Sequence, residues 1–259
     1  MLRYLLITTY ILTSAICFGQ TAQELNQKSK ELLIKQDFKN AVPLIRQSAE
    51  KGDAEAQYNY GICFQQGVEV IKNDSLANKW FLLSAKQGWK DAQFKIAYSF
   101  ALGRGLEQNE IKAFYWSMKC AEQQDSECML NVVNCYLEGH GTKKNIDSML
   151  FWATKLALLH NPEDLRVSGE ITSARANLAL MYNEGKTIPK DLEKSYTWFL
   201  IYNENKNDFS VAVQQQNIDI ITQLEKKLTA TDKEGAILEA EKLLNHKLTN
   251  LSNLYKQDL

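Results

Sequence analysis

Three short stretches of the chain contain residue types that could do chemistry. Residues 103 to 105 read Gly-Arg-Gly, which is the glycine spacing at the start of a phosphate-binding loop. Cys120 and Cys128 could bind a metal ion or form a disulfide. Residues 48 to 51 read Ser-Ala-Glu-Lys and match the Ser-x-x-Lys of enzymes with a serine nucleophile. Each interpretation depends on the elements that position these residues.

The composition predicts that those elements are helices. The 259 residues include 45% hydrophobic and 10% aromatic residues but only 3 Pro and 12 Gly, and runs of Val and Ile are scarce. We therefore expect an all-α protein with a sizeable core. A net charge of -1 and the lack of a basic stripe indicate no partner among nucleic acids and no binding to membrane surfaces.

The first nineteen residues have the pattern of a signal peptide. Arg3 precedes an uncharged apolar run from Tyr4 to Phe18, which is too short to span a bilayer comfortably. Small residues at Cys17 and Gly19 predict cleavage after Gly19, although Cys17 leaves a lipoprotein site as an alternative. We expect an exported protein, periplasmic or secreted, that does not insert into a membrane after cleavage and is a monomer.

A repeat of 36 residues organises most of the chain. Trp80, Trp116 and Trp152 are 36 residues apart, and Trp198 follows after 46. The same spacing relates four further columns: Gly67, Gly103, Gly139 and Gly185; Phe64, Phe100, Tyr136 and Tyr182; Ala56, Ala92, Cys128 and Ala174; and Asn73, Asn109, Asn145 and Asp191. The ten extra residues fall around 160–171, where a proline and a charge cluster predict a loop.

Each repeat predicts a pair of helices. The glycine column is expected to end the first helix and the Asn/Asp column to cap the second. A further pair is predicted upstream, with a helix from Ala22 to Ile34 and a turn from Lys35 to Phe38. Two C-terminal helices are predicted at about 210–228 and 232–256, the second starting with a capping box at 231–234. The predicted domains are a signal peptide at 1–19, a repeat array at 20–206 and capping helices at 207–259.

This pattern resembles the Sel-1-like repeat family, whose members are related to tetratricopeptide repeats. The second repeat carries the resemblance in Ala92, Gly103, Gly105, Lys112, Ala113, Trp116 and Ala121, and the third in Tyr136, Gly139, Gly141, Trp152 and Ala157. Glu69 and Thr187 replace the second glycine in the first and fourth repeats. The resemblance covers about residues 38 to 205. It implies a right-handed α-solenoid of antiparallel helix pairs, without enzymatic activity or a cofactor, whose usual role is to hold other proteins.

The chemical motifs have simpler interpretations in this setting. The Gly-x-Gly follows a helix and recurs with the repeat, so it is expected to form a turn. His140, His160 and His246 have no spacing that indicates a metal site or a catalytic relay, so we expect neither. The residues at 48–51 lack the companion motifs of serine enzymes.

Apart from Cys17 in the predicted signal peptide, the cysteines fall into two groups. Cys63 and Cys135 share one column and are expected to be separate buried thiols. Cys120 and Cys128 lie symmetrically about Gln124, at the junction of two repeats. A Cys-x7-Cys at this junction resembles the bridge of a cysteine-rich subgroup of the family and predicts a disulfide.

A binding surface is predicted on the outward positions of the first helices, which line the concave face in related repeats. The predicted residues there are mostly amides, which are poor helix formers but can pair with a peptide backbone. They are Asn59, Gln65, Lys95, Tyr98, Asn131, Asn134, Asn177 and Asn183. The predicted function is a non-enzymatic scaffold that binds a protein or peptide. Two alternatives stay open here, a toxin-neutralising immunity or inhibitor protein and a β-lactam-binding or hydrolysing enzyme.

Overall fold

The structure is a computed structural model that describes residues 20–162, 164–204 and 211–251. Twelve helices and no strand occur in these ranges. They are α1 (Ala22–Ile34), α2 (Phe38–Glu50), α3 (Ala54–Gln66), α4 (Asp74–Lys86), α5 (Lys90–Leu102), α6 (Glu110–Ala121), α7 (Ser126–Glu138), α8 (Ile146–Ala157), α9 (Leu165–Glu184), α10 (Leu192–Glu204), α11 (Val211–Lys227) and α12 (Ala230–Leu244). The predicted signal peptide at 1–19 lies outside the described residues.

The chain divides into two compact units, one up to Asn109 and one from Glu110. In the first unit, each helix from α1 to α4 packs against the next helix in the chain. In the second unit, the same holds from α6 to α10, and α10 also packs against α12. The prediction of an all-α repeat fold is therefore confirmed.

The repeat columns mark the helix ends as predicted. Each first helix ends at a glycine of the column with φ between 68° and 85°, a left-handed conformation that glycine adopts at little cost. Three of the four predicted caps are seen as side-chain hydrogen bonds of 2.9 Å: Asn73 Oδ1 accepts from Leu76 N–H, Asn145 Oδ1 from Ser148 N–H, and Asp191 Oδ1 from Lys194 N–H. At the fourth, the Asn109 N–H donates to the Phe100 carbonyl over 2.9 Å, as its counterparts do in the other repeats.

Long polar side chains join the end of one hairpin to the start of the next. Gln57 Nε2 donates to the Ala49 carbonyl, and Gln93 Nε2 donates to the Ala85 carbonyl, both over 3.2 Å. Arg175 holds the same position in the fourth repeat and donates from Nε to the Ala157 carbonyl over 2.8 Å. The Ala49 and Ala85 carbonyls also accept from the N–H groups of Gly52 and Gly88 over 3.0 Å, so the glutamine side chains add a second hydrogen bond at the ends of α2 and α4.

The predicted loop at 160–171 is wrong in its second half, because α9 begins at Leu165. Asp164 caps this helix by accepting from the N–H groups of Arg166 and Val167. Arg166 then forms ion pairs with Glu127 of α7 and Glu170 of α9. Contacts with α7 thus extend α9 to 20 residues, through a segment whose glycine and charges indicated a loop.

The second C-terminal helix also differs from its prediction. Its capping box is formed by Thr229 and Asp232, two residues earlier than expected, and the helix ends at Leu244. Asn245 has a left-handed backbone with φ 59° and stops the helix. The predicted part at 252–256 lies outside the described residues.

Residues 246–251 return to the end of α10, where a buried carboxylate holds them. Glu204 accepts hydrogen bonds from the Thr249 N–H over 2.8 Å, from the Thr249 hydroxyl over 2.6 Å, and from the Asn250 N–H over 3.0 Å. Asn203 and Asn250 also exchange side-chain-to-carbonyl bonds of 2.8 Å in both directions. This segment, which we call the C-terminal strap, is thereby fixed to the last repeat.

Candidate functional site

The eight predicted binding residues fall in both compact units, and they differ in their exposure to solvent. In the first unit, Asn59, Gln65 and Lys95 are half-buried, whereas Tyr98 is exposed. In the second unit, the side chains of Asn131, Asn134 and Asn177 are exposed, and Asn183 is half-buried. The predicted column does not by itself identify a site, because its members have different environments.

A groove of about 360 Å³ in the second unit brings two of the eight together. Asn134 of α7 and Asn177 of α9 both line it, while their predicted companions Asn131 and Asn183 do not. The groove is formed by α7, α8, α9 and the turn after α9. Its other lining residues are Leu130, Val133, Leu137, Met149, Ala153, Leu156, Ala174, Leu178, Leu180, Met181, Glu184, Lys186 and Thr187. We call it the α7–α9 groove.

Helical periodicity explains why these residues share one surface. The α7 residues in the groove follow steps of three and four, at Leu130, Val133, Asn134 and Leu137. The α9 residues follow a similar pattern from Ala174 to Glu184, so α7 and α9 form the two walls of the groove. Met149, Ala153 and Leu156 belong to α8, which packs against both of these helices. The groove is therefore mainly apolar, with one amide on each wall.

The charged groups of the groove compensate each other. Lys186 Nζ lies 3.1 Å from a carboxylate oxygen of Glu184, and both side chains are well exposed to water. An exposed ion pair of this kind contributes little free energy. The groove consequently presents apolar surface and neutral amides rather than a net charge.

Sequence reasoning did not find the apolar residues of the groove. A signal was present, because Ala153 occupies the repeat position that holds Phe81 in the first repeat and Phe199 in the fourth. Both phenylalanines are fully buried. The second repeat has Ser117 at this position, so two of the other three repeats fill it with a phenylalanine, and a small residue there indicates unfilled space.

The Gly-x-Gly motif forms a packing turn, as expected. A Cβ atom placed on Gly105 would lie 2.6 Å from the backbone carbonyl carbon of Asp74 at the start of α4. The Ser75 hydroxyl also donates to the Gly105 carbonyl over 3.0 Å. In the next repeat, Gly141 lies in the same way against the Glu110 carbonyl at the start of α6. The second glycine thus permits close backbone approach to an earlier helix.

The sulfur atoms of Cys120 and Cys128 lie 2.07 Å apart, at disulfide bonding distance, and the two Cα atoms are 5.7 Å apart. Together with Asp125, these cysteines form the one cluster of three potential metal ligands found in the described ranges. Sulfur atoms that are bonded to each other cannot bind a metal ion as thiolates, so the arrangement fits a disulfide and not a metal site.

The other two cysteines of the described residues, Cys63 and Cys135, are free thiols, and Cys135 is half-buried rather than buried as predicted. Cys63 is buried, and this burial raises the pKa of its thiol to about 11. Burial also raises the pKa of Cys135, and the nearby Glu110 carboxylate acts in the same direction. Thiols of this kind are weak nucleophiles at neutral pH.

Ser48 does not have the surroundings of a nucleophile. Its side chain is fully buried, and its hydroxyl donates to the Ala22 carbonyl over 2.7 Å. Ser84 holds the same position one repeat later and donates to the Ala54 carbonyl over 2.6 Å. The Ser-x-x-Lys therefore has a structural explanation within the repeat.

The fold and the groove define an all-α repeat protein with a concave apolar site. The sequence profile of the Sel1 repeat matches residues 54–89, 90–125, 126–161 and 172–201, which together make up more than half of the chain. The chain therefore belongs to the Sel1 repeat family. The family typically provides non-enzymatic scaffolds, and its members generally bind other proteins.

A solved structure agrees with this fold. A Sel1 repeat protein from Oxalobacter formigenes has a TM-score of 0.63 and 23% identity, covering 88% of this chain and 87% of its own. A protective antigen of uropathogenic Escherichia coli with an SLR fold has a TM-score of 0.43 and 21% identity, covering 90% of this chain. The chain spans about half, 55%, of that antigen. No curated protein sequence matches.

No helix in the described part of the chain combines the length with the apolar composition that a membrane span requires.

Proposed function

We propose that this chain is an exported, non-enzymatic scaffold that binds an extended segment of another protein in the α7–α9 groove. The observation that carries the proposal is that Asn134 of α7 and Asn177 of α9 both line one apolar groove. A primary amide both donates and accepts hydrogen bonds, as a peptide group does. Two amides can therefore hold a peptide backbone while apolar side chains enter the groove between them.

The helical context supports a binding role for these amides. Asparagine is an unfavourable residue within helices, and neither Asn134 nor Asn177 caps a helix. Both lie among apolar residues of the groove: Asn134 near Val133 and Leu137, and Asn177 near Ala174, Leu178 and Met181. A neutral, mainly apolar groove also favours a peptide over an ionic ligand.

The test is a selection of peptides from a random display library on the protein without residues 1–19. The double variant Asn134→Ala with Asn177→Ala should bind the selected peptides about 20 to 30 times more weakly, since each net hydrogen bond contributes about 1 kcal/mol. The matched control is Asn131→Ala with Asn183→Ala, on the same two helices but outside the groove. Equal affinities for the two double variants would contradict the proposal.

Export is the second part of the proposal and rests on the apolar run from Tyr4 to Phe18 behind Arg3. The expected mature protein begins at Gln20. Mass spectrometry of the protein recovered from envelope and culture fractions tests this, and recovery of uncleaved chain in the cytoplasm alone would refute it. Neither the immunity-protein nor the β-lactam alternative is supported by a feature of the described residues.

A further inference from the structure

The first repeat shows how this chain fills the space between a pair of helices. Phe81 of α4 is fully buried, and its ring centroid lies 5.7 Å from that of Tyr58 of α3. Gly61 of α3 makes room for it, because a Cβ atom there would lie 2.5 Å from a ring atom of Phe81. The Phe81 ring thus fills the space beside Gly61, between α3 and α4.

The third repeat has the same helix pair but lacks this ring. Ala153 stands where the first repeat has Phe81, Leu130 where it has Tyr58, and Val133 where it has Gly61. All three replacement residues line the α7–α9 groove. The groove therefore lies at the position where the first repeat buries a phenylalanine.

We propose that the α7–α9 groove binds an aromatic side chain of the partner, in the place that Phe81 occupies in the first repeat. This inference rests on the proposed function and adds the chemical class of the anchor residue. An apolar cavity of about 150 Å³ is enough to hold a benzene-sized ring. At about 360 Å³, the groove accepts a ring together with part of a neighbouring side chain.

Two methionines in the groove favour an aromatic anchor over an aliphatic one. The positions of Met149 and Met181 hold Ala, Ser or Cys in the other repeats, so these thioethers occur together only here. Thioether sulfur makes favourable contacts with aromatic rings, and the methionine side chain adapts to their shape. We expect an uncharged ring, because Glu184 and Lys186, the charged residues of the groove, already form an ion pair with each other.

The experiment uses the peptides selected for the groove, each prepared with Phe, Leu or Ala at the anchor position. The protein carries ¹³C-methyl methionine, so that Met149 and Met181 report from the groove while Met118 and Met129 serve as internal controls outside it. The Phe peptide should move the methyl signals of Met149 and Met181 upfield by ring current. It should also bind at least fivefold more tightly than the Leu peptide.

Two results separate this inference from the proposed function. Peptides that bind, and that lose affinity on substitution of Asn134 and Asn177, but bind equally with Leu in place of Phe would overturn the aromatic anchor alone. Failure to select any peptide would overturn both.

A variant tests the same point from inside the protein. Ala153→Phe combined with Val133→Gly reproduces the Phe81 and Gly61 pair of the first repeat. We expect this variant to keep the helical circular dichroism and thermal midpoint of the wild type while losing at least tenfold in affinity for the Phe peptide. A folded variant with unchanged affinity would contradict the inference. If the variant does not fold, the methyl signals of the wild-type protein decide.

Discussion

At the residue scale, Gly141 and Gly52 share a left-handed backbone but differ in their surroundings. Their φ values are 68° and 97°. A Cβ atom on Gly52 would meet no atom within 4 Å, whereas one on Gly141 would collide with the Glu110 carbonyl. Gly52 is therefore required only for its backbone conformation, whereas Gly141 is required for its backbone conformation and for close packing against α6.

Alanine substitution at these two positions should therefore have unequal effects. Gly52→Ala should lower the free energy of unfolding by about 1 to 2 kcal/mol, the cost of a left-handed alanine. Gly141→Ala adds overpacking against a backbone group and should lower it by about 3 kcal/mol or more. Urea denaturation of both variants measures the difference. Equal losses would mean that the turn moves freely away from α6.

The buried thiol of Cys63 makes stability sensitive to alkaline pH. Burial raises its pKa to about 11 in the folded protein, from an ordinary value of about 9. Below about pH 9, the Cys63 thiol is neutral, and its contribution to the free energy of unfolding is therefore fully present. That contribution is lost as the pH rises towards 11, because the unfolded chain loses this proton first.

The expected loss between pH 9 and pH 11 is about 1 to 2 kcal/mol in free energy of unfolding. Cys63→Ala should show a correspondingly smaller fall over the same range, while every lysine and tyrosine is retained in both proteins. Denaturant titrations at pH 8, 9, 10 and 11 give the two profiles. Parallel profiles would exclude Cys63 as the cause of this part of the pH dependence.

At the scale of the elements, Cys120 and Cys128 occupy two positions of the repeat that hold other residue types in the other repeats. Cys120 corresponds to Ser48 and Ser84 in the earlier hairpins and to Leu156 and Tyr202 in the later ones, whereas Cys128 corresponds to Ala56, Ala92 and Ala174. The variant Cys120→Ser with Cys128→Ala introduces the residue types of the preceding junction, Ser84 and Ala92, and removes the bond. It is therefore a conservative test of what the bond adds.

We expect this double variant to fold. Its free energy of unfolding should be about 2.5 kcal/mol lower than that of the wild type, because the disulfide closes a short loop and so reduces the entropy of the unfolded chain. Wild-type protein treated with a reductant should approach the same value, and mass spectrometry of untreated protein should find no free thiol at these positions. Alkylation of both cysteines without reduction would refute the bond.

The helix ends that could be predicted from the sequence are those set by local chemistry. The glycine column and the caps at Asn73, Asn145 and Asp191 act within a few residues, so their pattern was sufficient. The start of α9 could not be predicted, because its first turns depend on the contact between Arg166 and Glu127 of another helix. The groove also escaped prediction, because it arises from the missing ring at Ala153 and not from a residue type associated with binding.

At the scale of the whole molecule, the balance of charge predicts how binding responds to salt. The chain has 30 basic and 31 acidic residues, and the one ion pair among the groove's lining residues is internal to the protein. The affinity for an uncharged peptide should change less than about twofold between 50 and 500 mM NaCl, since no long-range attraction is screened. Isothermal titration at the two salt concentrations measures this change.

The control for the salt experiment is Lys186→Gln, which leaves the Glu184 carboxylate without its partner. A peptide with a lysine beside its anchor should then bind this variant with a clear dependence on salt. A strong salt dependence of the wild type with the uncharged peptide would place binding on a charged surface elsewhere.

The covering of α10 has a consequence for assembly. The side chains of Ser195 to Glu204 are all buried, because α9, α11 and α12 pack against this helix and the C-terminal strap is held at its end by Glu204. In a repeat array, an uncovered terminal helix is an adhesive surface onto which the first helices of another molecule can stack. Head-to-tail stacking of that kind does not close on itself and produces fibres. Because the last two helices and the strap cover α10, its side chains from Ser195 to Glu204 are not exposed for stacking of this kind.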